Sequence, residues 1–373
     1  MTQNKTNKVS NVPPLRFPEF SGEWEKCKLG EIMLYSKDRV PVSTLTDDNY
    51  VSTENMLPQF GGIYRAPNVP SNGSAIAYQK GDTLLSNIRP YLKKVWLANN
   101  NGGCSADVFV LKSINVKCNS AFLYYLIAND NFISHVMSGA KGVKMPRGDK
   151  EQIKKYQLSI PSKKEQGKIT ELLSILDQRI STQIRVIEDL QTLKKAISTK
   201  VFTEIKGCNS EKLGTLCSIT TGKLDANAMT DEGEYMFFTC SRENYKTDTF
   251  AFDGEALLIA GNGEIGSVKY YNGKFNAYQR TYVLQNFSEN IKYLQYYIEH
   301  HLPQRVLKEK NVGAMPYIVL STLADMPILL PSENKQNNIA KALQVIENKI
   351  YVEYSVLDQY KQQKQYLLQK MFI

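Results

Sequence analysis

The sequence has little of what membrane-spanning, secreted and zinc-binding proteins need. No apolar run approaches the roughly 20 residues that a membrane-spanning helix requires, and the first ten residues, MTQNKTNKVS, lack the apolar core of a secretory signal. The six cysteines, at positions 27, 104, 118, 208, 217 and 240, include no Cys-x-x-Cys pair. These absences predict a cytoplasmic protein with reduced thiols and argue against a zinc site.

Motifs that carry enzyme chemistry are also missing. The sequence has no G-x-x-x-x-G-K-[ST] phosphate loop and no Asn/Asp-Pro-Pro-aromatic run of the kind that amino-methyltransferases use. Its three histidines, His135, His300 and His301, have no acid or thiol nearby that would indicate a metal site or a catalytic triad. We therefore find no catalytic residues and no metal site in the sequence, and we predict that the chain alone is not an enzyme.

One glycine motif resembles a dinucleotide-binding fingerprint but lies in the wrong surroundings. Gly261-Asn-Gly-Glu-Ile-Gly266 follows a plausible strand, Glu255 to Ala260, and a dinucleotide fold then requires a helix. The next residues, Ser267 to Tyr271, instead have the pattern of a strand, and an Asn272-Gly273 turn and another strand follow. We therefore predict a hairpin rather than a Rossmann site. The glycine turn can still bring backbone amides and Asn262 close to a ligand.

The sequence does have an excess of positive charge. Its 46 lysines and arginines outnumber 37 acidic residues, which gives a net charge of +9 and a pI near 9.0. A basic surface favours polyanions, chiefly nucleic acid, although a merely basic soluble protein would show the same balance. At 373 residues, with 42% hydrophobic content, the chain should form two or more domains with substantial cores.

Two long segments of the chain are copies of each other. Residues from Ser162 to about Lys206 align without a gap, at a shift of 170 positions, on residues from Ser332 to the C-terminus. Apolar residues recur in both at three- and four-residue steps, which predicts a coiled-coil seam over about six heptads. In the first copy these are Ile169, Leu173, Leu176, Ile180, Ile184, Ile187, Leu190, Ile197 and Val201, and in the second they are Ile339, Leu343, Ile346, Ile350, Tyr354, Leu357, Tyr360, Leu367 and Met371.

The start of each copy is marked differently. Ser162 and Glu165 fit a capping box, which predicts the first residue of the first long helix. In the second copy Lys335 stands where the first has Glu165, so the capping box is lost.

The rest of the chain is also duplicated, although more weakly. Gly254-Glu-Ala-Leu-Leu echoes Gly81-Asp-Thr-Leu-Leu, and Met315-Pro316 echoes Met145-Pro146. We predict an α+β protein in which two mixed α/β domains, residues 1–161 and 207–331, alternate with long helices over 162–206 and 332–373. In the first domain the patterns predict strands at 82–86, 92–98, 106–111 and 156–160 and helices at 120–129 and 131–137.

Basic and amide side chains in turns are the candidates for contact with DNA. Arginine can bind guanine through two hydrogen bonds, asparagine or glutamine can do so with adenine, and lysine mostly contacts phosphate. Each of them taken singly could also be an ordinary solvated charge. The first domain offers Arg65, Arg89, Tyr91, Lys93, Lys94, Lys141, Lys144 and Arg147, and the second offers Arg242, Lys246, Asn262, Lys269, Lys274, Gln279, Arg280 and Tyr317.

The whole chain resembles the specificity subunit of a bacterial type I restriction–modification enzyme. The resemblance rests on PPLRFPEFSGEWEKCKLGEI near the start, on Asn87-Ile-Arg-Pro-Tyr-Leu-Lys-Lys, on Asn276-Ala-Tyr-Gln-Arg-Thr-Tyr-Val-Leu and on PSKKEQGKITELLSILDQRI. The second long helix matches that last motif less well.

The resemblance implies a division of labour. Each variable domain would be a target recognition domain that reads one half of a split DNA sequence. The two helices would pair antiparallel within the chain, with pseudo-two-fold symmetry, and dock two modification methyltransferase subunits, to which restriction subunits are added. S-adenosylmethionine, ATP and Mg²⁺ would bind to those partners and not to this chain. The cations expected on the helix surface for docking are Lys163, Lys164, Arg179, Arg185, Lys341 and Lys349.

Helix length fits such a spacer. A helix of about 40 residues is about 60 Å long, which is under two turns of DNA, so two domains could meet successive major grooves. We expect that inserting four residues into both helices would lengthen the unread gap without changing either half-site. Two other interpretations stay open on the sequence alone: a self-contained DNA methyltransferase or nuclease, and a coiled-coil scaffold that does not bind DNA.

Overall fold

The computed structural model describes residues 11–309 and 317–373. The chain divides into two compact units: unit 1 comprises residues 1–182 and 357–373, and unit 2 comprises residues 183–356. Each long helix therefore contributes one half to each unit. The predicted echo at Met315-Pro316 lies outside the described residues. Within the described ranges, no helix is long and apolar enough to cross a membrane.

Where the structure describes unit 1, ten strands and three short α-helices precede the first long helix. The predicted strands and helices are all present, with ends that differ by up to three residues from the predicted ones. The strands are β1 (Glu25–Lys28), β2 (Met33–Tyr35), β3 (Arg39–Pro41), β4 (Tyr50–Val51), β5 (Ser74–Tyr78), β6 (Thr83–Ser86), β7 (Val95–Leu97), β8 (Gly102–Cys104), β9 (Val108–Ser113) and β10 (Gln157–Ile160), and the helices are α1 (Ser120–Ile127), α2 (Asp130–Ser138), α3 (Lys150–Lys154) and the long α4 (Lys163–Glu204).

The strands of unit 1 form three sheets. An antiparallel sheet has the order β2-β9-β6-β7, and a second four-stranded sheet has the order β3-β5-β8-β4, in which β4 and β8 run parallel. The third sheet is the antiparallel pair β1 and β10. Helix α1 is buried along most of its length, from Phe122 to Ile127, because it packs in the main core between the first sheet and the long helices.

Unit 2 repeats this plan with a smaller second sheet. Its strands are β11 (Asn209–Lys212), β12 (Ser218–Thr221), β13 (Tyr235–Phe238), β14 (Tyr245–Thr247), β15 (Glu255–Ala260), β16 (Val268–Asn272), β17 (Phe275–Ala277), β18 (Thr281–Gln285) and β19 (Pro327–Leu330), and its helices are α5 (Leu213–Leu216), α6 (Ile291–Glu309), α7 (Leu320–Ala324) and the long α8 (Glu333–Met371).

The duplication predicted from the sequence is visible strand by strand. The order β12-β18-β15-β16 in unit 2 corresponds to β2-β9-β6-β7 in unit 1, and the pair β11 and β19 corresponds to β1 and β10. The second sheets differ: unit 2 has β14-β13-β17, with β13 and β17 parallel, where unit 1 has four strands. The first sheet and its helices are therefore the shared scaffold, and the second sheet and its loops are what varies.

The hairpin predicted after the glycine motif is wrong in one respect. A strand does follow the motif, but β16 pairs with β15, whereas β17 pairs with β13 in the other sheet. The Asn272-Gly273 turn therefore joins two sheets. The physical reason is burial: Phe275 and Ala277 of β17 pack in a core with Phe238, which holds this strand beside β13.

The long helices pair antiparallel inside each unit. In unit 1, Leu173 and Leu176 of α4 share a core with Leu367 and Met371 of α8. In unit 2 the pairing is reversed along the chain, so the last turns of α4, including Phe202, share a core with the first turns of α8. The sequence prediction that two copies in one chain pair with each other is confirmed by these contacts.

The predicted seam is wrong at one position in each copy. Ile184 and Tyr354, which are 170 positions apart, are 39% and 48% exposed. A strict heptad that runs through Ile187 places Gln183, the residue before Ile184, on the seam instead. There the amide nitrogen of Gln183 donates hydrogen bonds to the carboxylate and to the backbone carbonyl of Glu353, its own equivalent in the other copy. Two polar residues thus occupy a seam position that we had assigned to apolar ones.

The predicted capping box is only half present. The backbone amide of Glu165 lies 3.4 Å from Oγ of Ser162, which is a weak cap. The Glu165 carboxylate does not reach back to the helix start. It accepts hydrogen bonds from Arg16 at 2.7 and 2.8 Å and from the indole of Trp24 at 3.2 Å. Glu165 is buried, so a charged partner outcompetes the backbone amide, and the residue anchors the N-terminal segment of unit 1.

Candidate nucleic-acid interface

A cavity of about 230 Å³ in unit 2 brings together four of the predicted DNA-binding residues. It opens where β15 ends and β18 begins, beside the residues that precede α7. Asn262 comes from the glycine motif, Gln279 and Arg280 from the turn before β18, and Tyr317 from the segment before α7. We call this cavity the unit 2 pocket. Its lining residues are Thr221, Gly261, Asn262, Gln279, Arg280, Tyr282, Tyr317 and Ile318.

Backbone hydrogen bonds around Gly261 build the floor of the pocket. The amide of Gly261 donates to the carbonyl of Arg280 at 3.0 Å, and its carbonyl accepts from the amide of Ile318 at 2.9 Å. A side chain at position 261 would place its Cβ 2.6 Å from the Arg280 carbonyl oxygen, so only glycine allows this approach. The hydroxyl of Tyr282 donates to the carbonyl of Ile318 at 2.9 Å and fixes one wall.

The four predicted DNA-contacting side chains in this pocket have no partner among the described residues. In the described part of the chain, no hydrogen bond or ion pair engages the side chains of Asn262, Gln279, Arg280 or Tyr317. Arg280 and Gln279 are exposed, and Tyr317 is 66% exposed. Two amides that can each donate and accept, one guanidinium and one phenol match the hydrogen-bonding edges of bases in the major groove.

Three of the other four predicted residues of unit 2 contact protein groups through their side chains. Lys269 is the clearest case: its ammonium donates to the carbonyls of Ser241 and Arg242 and to Oδ1 of Asn244, each at 2.9 Å. Burial lowers the pKa of Lys269. The remaining three are Arg242, which pairs with Glu264 at 3.0 Å, Lys274, which lies 4.7 Å from the ring centroid of Phe250, and Lys246, which is exposed on β14.

In unit 1 two neighbouring loops gather most of the predicted residues. The loop of residues 87–94 follows β6, and the loop of residues 139–149 precedes α3. We call them the unit 1 loop pair. The amide of Arg89 donates to the carbonyl of Pro146 at 2.8 Å, and Lys141 and Arg147 exchange backbone hydrogen bonds at 2.9 and 3.0 Å. The sequence could not show that Arg89 and Pro146, which are 57 positions apart, lie together.

The side chains of the unit 1 loop pair fall into two groups. Arg89, Tyr91 and Lys144 are exposed, and none of them has a side-chain hydrogen bond or ion pair with another described residue. The others have partners. Lys93 pairs with Asp130 at 2.8 Å, Lys94 donates to the carbonyl of Thr53 at 2.6 Å, Lys141 pairs with Asp149 at 2.8 Å, and Arg147 lies 3.4 Å from Asp107. Outside the loop pair, Arg65 pairs with Asp47 and Asp48.

The six cations predicted for docking are all exposed on the helix surface, although three of them also contact protein groups. Lys163 donates to the carbonyl of Asn115 at 2.6 Å, Arg179 lies 5.9 Å from the ring of Tyr360, and Lys349 pairs with Glu353. Sequence reasoning missed exposed apolar residues on α8. Val345, Tyr351 and Val352 are 62%, 76% and 50% exposed. Their positions outside the heptad seam were the signal that could have identified them.

Within residues 11–309 and 317–373, no group of three or more His, Cys, Asp or Glu side chains is arranged to hold a metal ion. All six cysteines are unpaired.

Comparison with known proteins agrees with this arrangement. The family model described as the type I restriction modification DNA specificity domain matches the chain twice, at residues 21–190 and 206–359. The EcoDI specificity subunit of Escherichia coli is 38% identical over 135 residues, which are 36% of this chain and 30% of that relative. The MjaVIII specificity subunit of Methanocaldococcus jannaschii is 23% identical over 98% of this chain and 95% of its own length.

A solved structure has the same fold. The type I restriction–modification S subunit from M. genitalium superposes with a TM-score of 0.63 at 16% identity, covering 97% of this chain and 99% of that one. The two family matches span most of the sequence and fall on the duplicated halves. The chain therefore belongs to the type I restriction–modification DNA specificity family, and it is a specificity subunit, a DNA-recognition component without a catalytic activity of its own.

Proposed function

We propose that unit 1 and unit 2 each read one half of a split, asymmetric sequence in double-stranded DNA. Two copies of one scaffold with different loops suit two different half-sites. In this proposal the recognition domains are residues 1–161 and 207–331, and the spacer helices are residues 162–206 and 332–373. The first sheet of each unit is the rigid frame, and the loops at its ends supply the contacts.

The unit 2 pocket is the observation that carries this proposal. Asn262, Gln279, Arg280 and Tyr317 come from three separate segments, yet their side chains line one cavity, and none has a hydrogen-bond or ion-pair partner within residues 11–309 and 317–373. Polar side chains that converge on one cavity suit a ligand with hydrogen-bonding groups. The net charge of +9 favours a polyanionic ligand.

We further propose that the long helices dock two modification methyltransferase subunits, and that restriction subunits join this core. Exposed apolar side chains at Val345, Tyr351 and Val352 support a protein partner on α8, because burying them would be favourable. The exposed cations Lys164, Arg185 and Lys341 would form the polar rim of such a contact. Adenine methylation, S-adenosylmethionine, ATP and Mg²⁺ belong to the partners in this scheme, which operates in the cytoplasm.

Co-expression with a modification subunit tests the proposal. Genomic DNA from cells that produce both proteins would be sequenced for modified adenines, with a strain that lacks this chain as the control. We expect methylation in a motif of two short sequences separated by a fixed unread gap. Methylation by this chain alone would favour a self-contained enzyme. Absence of any split motif, with both proteins present and associated, would contradict the proposal and favour a scaffold role.

A further inference from the structure

The two units share one backbone arrangement at the end of their first sheet. In unit 1 the amide of Asn87 donates to the carbonyl of Asp107 at 2.8 Å, and the carbonyl of Asn87 accepts from the amide of Gly148 at 3.1 Å. In unit 2, Gly261 makes the same two hydrogen bonds with Arg280 and Ile318. Positions 87, 107 and 148 therefore correspond to positions 261, 280 and 318.

The turn before the central strand strengthens this equivalence. The amide of Val108 donates to the carbonyl of Ser105 at 3.1 Å, and that of Thr281 donates to the carbonyl of Tyr278 at 2.8 Å. Asp107 and Arg280 thus occupy the same place in the same turn. Arg147, which precedes Gly148, likewise corresponds to Tyr317, which precedes Ile318.

Side chains at these equivalent places differ in chemistry. In unit 1, Nη2 of Arg147 lies 3.4 Å from Oδ1 of Asp107, and both side chains are partly exposed. In unit 2, the same two places carry Arg280 and Tyr317, and an amide, Gln279, stands beside Arg280. The scaffold is constant and the hydrogen-bonding groups change, which is the pattern expected of positions that determine specificity.

The carboxylate of Asp107 beside Arg147 favours contact with a base over contact with a phosphate. A phosphate approaching Arg147 would be repelled by the carboxylate of Asp107, because the two anions would compete for one guanidinium. A guanine–cytosine pair has no such conflict. Its O6 and N7 accept from arginine, and its cytosine N4 donates to a carboxylate. The pair also holds the guanidinium in place, so less rotamer entropy is lost on binding.

We propose that Asp107 and Arg147 are the specificity-determining pair of unit 1 and read a guanine–cytosine pair in its half-site. The equivalent places in unit 2, Arg280 and Tyr317 with Gln279, read a different base pair in the other half-site. This inference rests on the proposed function, since it needs each unit to contact DNA.

Selection from a randomised double-stranded DNA library tests it, with the purified assembly of the full chain and its modification subunits. Arg147→Lys keeps the charge and removes the two-pronged donor. We expect preference for guanine–cytosine at one position of one half-site to fall roughly 5- to 150-fold, which corresponds to about 1–3 kcal/mol for a two-hydrogen-bond contact. The other half-site should be unchanged. Arg39→Lys is the matched control, because Arg39 is an exposed arginine of unit 1 outside the loop pair.

A second variant keeps the test decisive if Arg147→Lys perturbs folding. Asp107→Asn removes the carboxylate without changing the shape of the side chain, and should relax the same position, whereas Asp38→Asn should not. If Arg147 contacted phosphate only, Arg147→Lys would weaken binding uniformly and leave all base preferences intact, which would overturn the inference while the proposed function stands. If the assembly with the unsubstituted chain selected no split sequence, the proposed function itself would fail.

Discussion

The ammonium nitrogen of Lys194 lies 2.8 Å from Oε1 of Glu347. At a shift of 170 positions, Lys194 corresponds to Lys364 and Glu347 corresponds to Asp177. These two residues also form an ion pair, in which the ammonium nitrogen of Lys364 lies 2.6 Å from Oδ1 of Asp177. In unit 2 the lysine belongs to α4 and the acid to α8, and in unit 1 the assignment is reversed. Because each ion pair forms only when the antiparallel helices are aligned in one way, the duplicated pair fixes the helix register.

A tyrosine completes each pair. The hydroxyl of Tyr296 donates to Glu347 at 2.9 Å, and that of Tyr125 donates to Asp177 at 2.8 Å. In unit 2 a second acid, Glu299, also lies 3.2 Å from Lys194. Burial alone would lower the pKa of Lys194, but the charges of Glu299 and Glu347 outweigh it, so that the pKa is raised.

Removing the lysine of unit 2 should therefore destabilise this unit. Lys194→Met leaves Glu299 and Glu347 without their cation, and we expect the free energy of unfolding to fall by about 2 kcal/mol, less than for a fully buried pair because all three side chains are partly exposed. Urea unfolding followed by circular dichroism measures this. Lys195→Met, one residue away and exposed, is the control, and an equal shift in both variants would contradict the explanation.

The polar seam pair should limit stability while specifying alignment. Replacing Gln183 and Glu353 together by leucine buries apolar surface on the seam, and we expect the urea midpoint to stay the same or rise. Glu353→Leu alone should lower it, because the Gln183 amide then loses the carboxylate acceptor and keeps only the backbone carbonyl of residue 353. A double variant less stable than the single one would show that the two polar groups stabilise the helices directly.

The anchor at the start of α4 should be sensitive to charge. Arg16→Ala leaves the buried carboxylate of Glu165 without its cation, which we expect to cost roughly 3 kcal/mol of the stability of unit 1. Adding Glu165→Gln should recover part of this loss, since a neutral amide costs less to bury. Chemical denaturation of the single and the double variant measures how much of the free energy of unfolding is recovered. No recovery would mean that Arg16 acts through packing and not through its charge.

Acid should loosen the unit 1 loop pair through Asp149. A hydrogen bond from Lys141 and backbone amides at the start of α3 lower the pKa of Asp149 to about 2. Since the folded-state pKa lies below the usual value of 3.8, this carboxylate stabilises the fold above that pH, and the contribution is lost as the pH falls from about 4 to about 2. We expect Asp149→Asn to reduce the change of melting temperature across this window. An unchanged pH profile would contradict this role.

Two residues of unit 2 that the sequence grouped together should behave differently. Lys269 braces a loop through three backbone and side-chain acceptors, so Lys269→Met should lower the unfolding midpoint. Gln279 is exposed, and its side chain forms no hydrogen bond with any residue that the structure describes. Gln279→Ala should therefore change stability by no more than about 0.5 kcal/mol yet relax one half-site. Thermal denaturation and DNA selection on the same preparations separate the two effects, and loss of stability in Gln279→Ala would contradict this assignment.

The helices and the duplication could be predicted from the sequence because their information is local and repeated. The heptad spacing around Leu173 and its copy Leu343 needs no tertiary structure to be recognised. Gln183 was missed because a search for apolar residues passes over a polar one on the seam. The hairpin after β16 was misassigned because Phe275 is placed by a core whose other residues lie elsewhere in the sequence.

The site could be predicted only as a list of residue types. Gln279 and Tyr317 are 38 positions apart, and only the fold of unit 2 brings them to one pocket. In the sequence, Arg65 and Lys269 are candidate cations for contact with DNA, as Arg89 is. The sequence does not show that Arg65 pairs with Asp47 and Asp48, or that Lys269 donates to backbone carbonyls. Whether a cation is free or used is therefore a property of the tertiary structure.

DNA selection with one variant in each unit tests the central claim most directly. The assembly of the full chain with its modification subunits would be compared with its Arg89→Ala and Gln279→Ala variants on one randomised duplex library. The division of reading between the units predicts a split motif in which Arg89→Ala alters only one half and Gln279→Ala alters only the other. Changes that spread across both halves in either variant, or a single contiguous motif, would contradict it.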